Sequence, residues 1–534
     1  MTRLILRALG IIIALSGIMQ SAFAQVVDIV NSDAYRNTAM GTGALGSDQP
    51  SALVDYVGPG DANTAVGLNA LNLNTTGQQN SALGDSALGM NTTGQGNTAI
   101  GVYALIANTT GGYNTASGIY ALAANTTGSD NTATGDQALH ANTTGYNNVA
   151  TGSYALLSNT TGTYNSAHGI FALQANTTGD YNAATGFGAL ASNTTGNGNT
   201  ADGTGALGQN TTASNNSALG IHALHFNTIG GYNTSVGDYA LSTNSTGSYN
   251  TAVGSQTPYS LSGPLPPSMT GSYNTSIGAL ALAADTTGAN NTAFGYQALL
   301  LNTTGKGNAA QGVNALYSNT TGIRNSGIGN NALYNNTGSY NIALGFDAGY
   351  NVTNGSNNIE IGTSGTAGDN NTIQIGVQGT QTSTTIAGIS GTQITGNAVY
   401  VTATGQLGVQ GSSERFKTHI APMPEFTAKL QQLRPVTFQY KTDPTGTPRY
   451  GLIAEEVDKI YPELVIRDNK GQIQGVRYEE LAPMLLSEMQ HERKEMAEKF
   501  AAQAAELRDL KELVVKMQAG LERLNAKDEL IAQR

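Results

Sequence analysis

The most regular feature of the chain is a pattern of apolar and polar positions that repeats every 17 residues. Each unit reads approximately Asn-Thr-Ala-x-Gly-x-x-Ala-Leu-x-x-Asn-Thr-Thr-Gly-x-x, as in the stretch that begins at Asn97. The first asparagine of the unit recurs at Asn63, Asn80, Asn97, Asn114, Asn131, Asn148, Asn165, Asn182, Asn199, Asn216, Asn233 and Asn250, and after an insertion at Asn274, Asn291, Asn308 and Asn325. A fixed period of this kind indicates a repeat architecture in which each unit packs on the next.

The residue types of the unit favour strands and turns over helices. Gly, Asn and Thr disfavour helix, and the unit is too short for two packed helices. Asn-Thr-Thr-Gly is typical of tight turns, whereas Ala-x-Gly and Ala-Leu supply small and branched side chains for a narrow interior. Coils of two short strands, stacked about 4.8 Å apart, would pair their backbone amides and align Asn and Thr into ladders. We therefore predict a mainly β protein whose body, residues 25–362, is a β-solenoid or β-roll.

The coils resemble a known family of surface proteins. The stretch Asn97-Thr98-Ala99-Ile100-Gly101 is similar to the Asn-x-x-Ala-Ile-Gly coils of trimeric autotransporter adhesin heads, in which three left-handed rolls pack side by side. The similarity covers roughly residues 37–362. It implies a trimeric, elongated body.

Charge divides the chain into two chemically different parts. Of its 24 Lys and Arg residues, only Arg36, Lys306 and Arg324 lie between residues 25 and 411, and most of the others lie from Arg415 onward. A body with so few cations cannot neutralise a phosphate backbone, so nucleic-acid binding is not expected. The chain has no cysteine and therefore no disulfide. Its stability must come from stacking and association.

Motifs within the repeat do not predict a cofactor or a metal ion. Residues 41–46 and 203–208 both fit Gly-x-Gly-x-x-Gly, but these glycines recur as turn positions of the coil and no strand-helix-strand unit surrounds them. His222 and His225 form the closest histidine pair, and no third ligand type lies at coil spacing. We expect no cofactor and no bound metal.

The N-terminal residues have the pattern of a secretory signal peptide. Arg3 and Arg7 precede an apolar run, and Ala22-Phe23-Ala24 offers a small-x-small cleavage site. The apolar run is too short for a stable membrane span, and no later window supplies about 20 apolar residues. We predict that residues 1–24 are removed near Ala24, and that the mature chain has no transmembrane segment and is secreted, periplasmic or displayed at the cell surface.

The period decays after residue 362 into Thr-rich and Gly-rich β segments, which predict a β-rich stem over residues 363–411. At Ser412 the composition changes to charged, aromatic and proline residues typical of a compact α/β unit. We place this domain at residues 412–485 and predict strands at 438–440 and 450–454 and a short helix at 455–460 that ends before Pro462.

Residues 412–485 resemble the intramolecular chaperone family of phage endosialidases and tail spikes, also classed as peptidase S74. The resemblance is carried, in chain order, by Ser412-Ser413-Glu414-Arg415-Phe416-Lys417, Gly451-Leu452-Ile453-Ala454-Glu455-Glu456-Val457, Tyr461-Pro462-Glu463 and Val476-Arg477-Tyr478-Glu479-Glu480-Leu481. The resemblance implies a domain that trimerises, templates a β-rich body and cleaves the chain before a serine. It implies Ser412 as nucleophile, Lys417 as base and Gly411–Ser412 as the scissile bond.

The chemistry of such a dyad is plausible for this segment. A serine hydroxyl needs a base to take its proton, and a lysine can serve when burial keeps its amine neutral. Gly411 would permit an unusual backbone that brings the Ser412 hydroxyl onto the preceding carbonyl. Arg415 is expected to act as a structural or intersubunit ion-pair partner rather than as a catalytic group.

The chain ends in a pattern of heptads, which predicts a coiled coil over residues 486–531. One seam position contains Leu486, Phe500, Leu507, Val514 and Leu521, and the other contains Met489, Met496, Leu510, Met517 and Leu524. Polar residues at Arg493 and Gln503 interrupt the seams. The chaperone resemblance implies three strands, because the seam composition alone leaves the number open.

These features together predict an exported homotrimeric fibre or adhesin-like protein whose C-terminal chaperone drives folding and cleaves itself before Ser412. That cleavage would be a single-turnover reaction, and no metabolic activity is predicted. A surface glycan or another host-surface ligand is a candidate partner of the body. The insertions at 47–61 and 256–270 are the first candidates to contact such a ligand, and simple spacer loops are the alternative that we favour for them. The alternative is a tail-spike-like glycan-degrading enzyme with the same chaperone, which would require a carboxylate pair in a groove.

Overall fold

The computed structural model describes residues 31–32, 37–46, 62–257, 268–387, 398–402, 404–423, 427–468 and 470–532. The predicted signal peptide and the insertion at 47–61 lie outside these residues, as does most of the insertion at 256–270. The chain divides into two compact units between Gln381 and Thr382. Each unit is described by itself.

The N-terminal unit is a parallel β-solenoid of about 18 turns, as the 17-residue period predicts. Within the described residues, 21 strands form one sheet, in which each strand pairs with the next along the chain. All of these pairs are parallel except the first, which joins Asn31–Ser32 to Thr38–Met40. The later strands are Thr64–Val66, Ser81–Leu83, Thr98–Ile100, Thr115–Ser117, Thr132–Thr134, Val149–Thr151, Ser166–His168, Ala183–Thr185, Thr200–Asp202, Ser217–Leu219, Thr234–Val236, Thr251–Val253, Thr275–Ile277, Thr292–Phe294, Ala309–Gln311, Ser326–Ile328, Ile342–Leu344, Ile359–Ile361 and Ile373–Ile375.

Each full coil contains one strand, not the two that the repeat predicts. The other side of the coil is a series of turns, in which Ala104 N–H bonds to Gly101 O and Asn108 N–H bonds to Leu105 O. Tyr103 and Leu105 have positive φ angles of 59° and 52°, so an extended strand cannot form there. Backbone N–H groups that form no bond within these turns donate to the neighbouring coil. Leu105 N–H, for example, donates to Ala121 O at 3.0 Å.

The core is a narrow column to which each regular coil contributes two alanines and one leucine. In one coil these residues are Ala99 in the middle of the strand, Ala104 and Leu105, and each is completely buried. A fully buried leucine contributes roughly 1.5–3 kcal/mol relative to an exposed one. The apolar stabilisation of one coil is therefore small, and stability accumulates by stacking.

Two asparagine ladders run inside the solenoid, as the repeat predicts. In the first, the Asn114 backbone N–H donates to Asn97 Oδ1 at 2.9 Å, and Asn114 Nδ2 donates to the same oxygen at 3.1 Å. In the second, Asn125 Nδ2 donates to Asn108 Oδ1 at 2.8 Å. Asn114 and Asn125 both also donate to the Gly128 carbonyl, at 2.8 and 2.9 Å. The asparagine amides of the two columns therefore connect successive coils.

Tyrosines stack on the outer surface where successive coils hold an aromatic residue at the same position. Tyr232, Tyr249 and Tyr273 form one such stack, with ring centroids 5.0 and 5.1 Å apart and ring planes within 1° of parallel. Tyr164 and Tyr181 form another, at 5.0 Å and 2°. The rings remain about half exposed.

The parallel ladder continues past the predicted end of the body at residue 362. Ile359–Ile361 pairs with Ile373–Ile375 in parallel, with Glu360 opposite Gln374. This last step takes 14 residues instead of 17, because Ile359 pairs with Ile373. The solenoid therefore ends in a shortened coil.

The C-terminal unit contains short elements followed by one long helix. Three antiparallel pairs join Tyr400–Val401 to Leu407–Gly408, Val436–Phe438 to Arg449–Gly451 and Val465–Arg467 to Ile473–Val476. The helical elements are the 3₁₀ turns Glu414–Phe416 and Pro462–Leu464 and the α-helices Thr427–Leu430, Ala454–Ile460 and Tyr478–Ala532. The helix predicted at 455–460 is confirmed, and the heptad region lies in one continuous helix of 55 residues.

A small core holds the short elements together. Val457, Tyr461, Leu464, Val476 and Met484 are buried against one another. None of the helices in the described ranges has the length and the apolar character needed to cross a membrane.

The glycine that follows each strand should be the least replaceable residue of the coil. At Gly169, φ is 137°, and an added Cβ would lie 2.5 Å from Gly186 O. We predict that Gly169→Ala destabilises the protein by at least about 3 kcal/mol, because the substitution adds both backbone strain and a clash with backbone. Thermal unfolding followed by circular dichroism measures the change.

Gly188 provides the matched control for this prediction. Its φ is 63°, and an added Cβ would meet nothing within 4 Å. Tyr154 and Phe171 occupy the same coil position with φ of 62°. Gly188→Ala is expected to cost about 1 kcal/mol or less. Equal losses from the two substitutions would contradict the role assigned to the glycine column.

Asp285 stands where the second ladder otherwise holds asparagine. Its side chain is buried, Asn302 Nδ2 donates to its Oδ1 at 2.9 Å, and its Oδ2 has no hydrogen-bond partner. Burial raises the pKa of this carboxyl to about 7. The folded chain therefore keeps this proton at pH values where the unfolded chain has released it.

We predict that Asp285→Asn stabilises the protein by roughly 2–4 kcal/mol at about pH 8 and by much less at about pH 4. A raised folded-state pKa means that this group's contribution to stability is full below its unfolded pKa and is lost as the pH rises through about 7. Asp202→Asn, on the exposed face of a strand, is the control and should show no such difference. Melting temperatures of the three proteins across pH test this, and equal pH profiles would contradict it.

Candidate active site

The two predicted catalytic residues lie at a single tight turn. Ser412 precedes the 3₁₀ turn Glu414–Phe416, in which Phe416 N–H bonds to Ser413 O and Lys417 N–H bonds to Glu414 O. The two side chains meet across this turn, where Lys417 Nζ lies 3.2 Å from Ser412 Oγ. The spacing of five residues in the sequence thus becomes hydrogen-bond contact in the structure.

The contact has the distance that proton transfer needs but not the environment that a lysine base needs. Lys417 Nζ donates to Ser412 Oγ, whereas a base must accept the hydroxyl proton. Both side chains are exposed in the single chain. The burial that would favour a neutral amine is therefore not supplied by the residues of this turn.

Gly411 lies against the ring of Phe416, which gives a different reason for a glycine before Ser412. An added Cβ at residue 411 would lie 2.9 Å from Phe416 Cδ2. Gly411 does not have a positive φ, so the unusual backbone predicted for it is absent in this state. The Arg415 guanidinium lies 4.6 Å from the centroid of the same ring. Phe416 therefore packs against Gly411, which precedes Ser412, and against Arg415. Arg415 thus contacts an aromatic ring of its own chain.

The dyad opens onto a cleft of about 530 Å³ in the C-terminal unit. The segment that contains the dyad contributes Gln410, Gly411, Ser412, Lys417 and Met423 to the lining of the cleft, and later segments contribute Glu463, Leu464, Glu479, Glu480, Pro483 and Met484. Segments that are distant in sequence therefore meet here. They come from the serine motif, from the 461–463 motif and from the start of the long helix.

The three glutamates of this cleft were not assigned to the site from sequence. Glu463 follows the buried Tyr461, while Glu479 and Glu480 lie in the first turn of the long helix. Glu480 also pairs with Arg477, at 3.8 Å. Their only sequence signal is that they belong to the same set of family-like motifs as Ser412, and spacing alone did not predict that the motifs meet.

Polar contacts outside the cleft fix the elements that carry the motifs. Tyr478 Oη accepts a hydrogen bond from Leu452 N–H at 2.7 Å and so connects the long helix to the strand end at residue 452. Arg434 pairs with Glu456 through two hydrogen bonds, at 2.6 and 3.1 Å. These bonds hold the pKa of Glu456 below its usual value. They position the helix that precedes the 461–463 motif.

The histidine pair of the solenoid lies far along the chain from this cleft. His222 Nδ1 is 3.4 Å from His225 Nδ1, and His225 Nδ1 is 2.8 Å from Gly205 O. The glycines at 205 and 208 leave room for the two rings. Within the ranges that the structure describes, no three residues of the His, Cys, Asp and Glu types come together as metal ligands.

Comparison with known proteins identifies the segment that carries the dyad. No curated protein and no solved structure matches the chain. A family model does match it, over residues 412–466, and therefore starts at the serine of the dyad and includes the 451–457 and 461–463 motifs. Residues 412–466 thus match the peptidase S74 family, described as chaperone of endosialidase, and they follow a parallel β-solenoid in the same chain.

Proposed function

We propose that this protein is an exported, trimeric fibre whose C-terminal chaperone assembles three chains and then cuts itself off before Ser412. The observation that carries the proposal is the chaperone-of-endosialidase match at residues 412–466, directly downstream of a long β-solenoid. That family is associated with trimerisation. The free body would then display its repeated surface to a glycan or another host-surface ligand.

The architecture of the solenoid gives a physical reason for a folding helper. Each coil has a strand of only three residues and forms most of its hydrogen bonds with neighbouring coils. The first coil must therefore be ordered before any neighbour can stabilise it, and the chain has no disulfide to hold it. A template that holds three chains in register would lower this entropic cost.

The long helix has the exposed apolar seam that a self-associating chaperone would need. The helix Tyr478–Ala532 is about 80 Å long. Its seam residues are between 47% and 66% exposed in the single chain. Such a row of exposed apolar side chains is typical of a helix that packs against others of its kind. We infer that three copies form a parallel coiled coil.

The proposed cleavage is an acyl shift followed by hydrolysis. Ser412 Oγ would attack the Gly411 carbonyl carbon as Lys417 takes the hydroxyl proton. The Gly411–Ser412 amide bond breaks, its nitrogen receives a proton, and an ester to Ser412 Oγ remains. Water then hydrolyses this ester and releases residues 412–534 with the serine hydroxyl restored. No cofactor or metal enters this scheme.

Because the dyad is exposed in a single chain, we expect cleavage to depend on assembly. Neighbouring chains would cover Lys417 and favour its neutral amine. Release of the template would then trap the body kinetically, since the helper needed for refolding has departed.

We predict that the wild-type protein yields a fragment that begins at Ser412 and that Ser412→Ala yields none. Lys417→Ala should slow cleavage by about 100-fold or more, because it removes the base. Ser413→Ala is the matched control, since this residue precedes the same turn and should not impair cleavage. Denaturing gels and N-terminal sequencing measure the products. Full-length chains alone in every variant would refute self-cleavage, and cleavage in Ser412→Ala would refute the assigned nucleophile.

We also predict that charge in the helix seam prevents assembly. Leu507→Asp combined with Leu510→Asp should abolish the trimer, reduce the yield of folded solenoid and block cleavage, since buried charges at a seam are strongly destabilising. Ala502→Asp combined with Arg508→Asp places the same side chains on the outer face and should leave all three unchanged. Analytical ultracentrifugation measures the mass of full-length protein carrying Ser412→Ala, and denaturing gels measure cleavage in the same variants with Ser412 retained. A seam variant that still forms a cleaving trimer would refute this assembly route.

A further inference from the structure

The last coil of the solenoid buries an acidic residue in the column that holds small side chains in the preceding coils. Glu360 is the middle residue of the strand Ile359–Ile361 and lies opposite Ala343 of the preceding coil. Its side chain is completely buried. Neither of its carboxylate oxygens has a hydrogen-bond partner.

A second acidic residue borders the same space. Asp369 is 8% exposed, and its carboxylate accepts hydrogen bonds from Thr366 N–H at 2.5 Å, Thr366 Oγ1 at 2.7 Å and Gln374 Nε2 at 2.9 Å. A Cβ added at Gly365 would lie 3.2 Å from Glu360 Cδ and 3.1 Å from Asp369 Oδ2. The two carboxyl groups therefore converge beside Gly365.

Within the ranges that the structure describes, no cation is paired with either of these acids. The nearest basic residues in sequence on the solenoid side are Lys306 and Arg324, and Arg324 contacts Tyr340 on the surface. Burial, and then the charge of Asp369, raise the pKa of Glu360 to about 7. A buried carboxylate without a donor or a counter-charge is strongly unfavourable, so Glu360 must either keep a proton or meet a cation.

We propose that Glu360 and Asp369 bind a hard divalent cation of the calcium type at the C-terminal end of the solenoid. Two carboxylates would neutralise such an ion. The remaining ligands would be oxygens of the connecting loop, residues 362–368, which contains threonine and serine hydroxyls and backbone carbonyls. An oxygen-only environment favours calcium or magnesium over transition metals, and ligands supplied by side chains and a loop favour calcium, because magnesium usually keeps several of its waters.

The bound ion would close the open end of the parallel ladder. The strand Ile373–Ile375 is the last of the ladder, and the shortened coil that leads to it contains Asp369. An ion shared by Glu360 and Asp369 would fix this coil to the strand beneath it. The proposal does not depend on trimerisation or on cleavage before Ser412.

The test uses the full-length protein, freed of metal and titrated with Ca²⁺ by calorimetry at about pH 8, where the carboxyl is ionised. Thermal unfolding with and without a chelator gives a second measurement. Glu360→Gln keeps the shape and removes the charge, and Glu360→Ala restores the residue type of the preceding coil. Asp285→Asn, which removes a buried acid in another coil, is the matched control.

We expect one Ca²⁺ per chain in the wild type and in Asp285→Asn, with a melting temperature that falls on addition of chelator. Both Glu360 variants should bind Ca²⁺ at least about 100-fold more weakly and should not respond to chelator. In the wild type, affinity should fall as the pH drops below about 7, because the proton competes with the ion.

Two results would overturn the proposal. If the wild type binds no Ca²⁺, ignores the chelator and is stabilised by Glu360→Gln at about pH 8 but not at about pH 5, the buried acid is neutralised by a proton alone. If Glu360→Gln and Glu360→Ala bind Ca²⁺ as tightly as the wild type, the ion lies elsewhere. Should Glu360→Ala fail to fold, the Glu360→Gln titration decides between the outcomes.

Discussion

The structure depends on hydrogen bonds between identical positions of successive coils. A residue in such a column meets its own kind above and below, so the column selects side chains that can interact with copies of themselves. Asparagine satisfies this condition because its amide donates upward and its carbonyl oxygen accepts from below, as Asn97 and Asn114 do. A carboxylate cannot do so, since it only accepts and repels its copies. The scarcity of charge in the body follows from this constraint. Of the buried acids in the described solenoid, Asp285 lies in the second ladder, whereas Glu360 and Asp369 lie in the last coil.

Much of the solenoid could be predicted from sequence because the period states which residues share a column. The asparagine ladders, the alanine and leucine core and the parallel stacking all follow from it. The turn-built second side could not be predicted, because Leu105 and Tyr103 adopt positive φ although neither residue type favours it. Their conformation is imposed by hydrogen bonds to neighbouring coils, which are tertiary contacts. The shortened last coil was missed for a related reason, since the ladder persists there after the sequence period is lost.

The candidate site divides in the same way. Ser412 and Lys417 could be predicted because one local motif contains both, and a tight turn needs no distant contact to bring them together. The glutamates of the cleft come from segments far along the chain, since Glu480 lies 68 residues after Ser412. The sequence suggested that Gly411 provides backbone freedom before the serine, whereas the structure shows that its role is to make room for the Phe416 ring. The cleft therefore depends on packing around Tyr461 and Leu464 that a motif cannot encode.

The stacked tyrosines have a consequence for any carbohydrate that approaches the fibre. Rings that lie parallel at 5.0 Å leave no space for a sugar between them, so their flat faces are covered by one another. Along each stack the surface presents ring edges and phenolic hydroxyls. The hydroxyls can form hydrogen bonds, but ring edges cannot stack against the apolar face of a pyranose. Only the first and last ring of a stack offers a free face. Contacts of the kind that depend on aromatic platforms are thus confined to the ends of the stacks, for example at Tyr232 and Tyr273 in one run of three rings and at Tyr317 and Tyr350 in another.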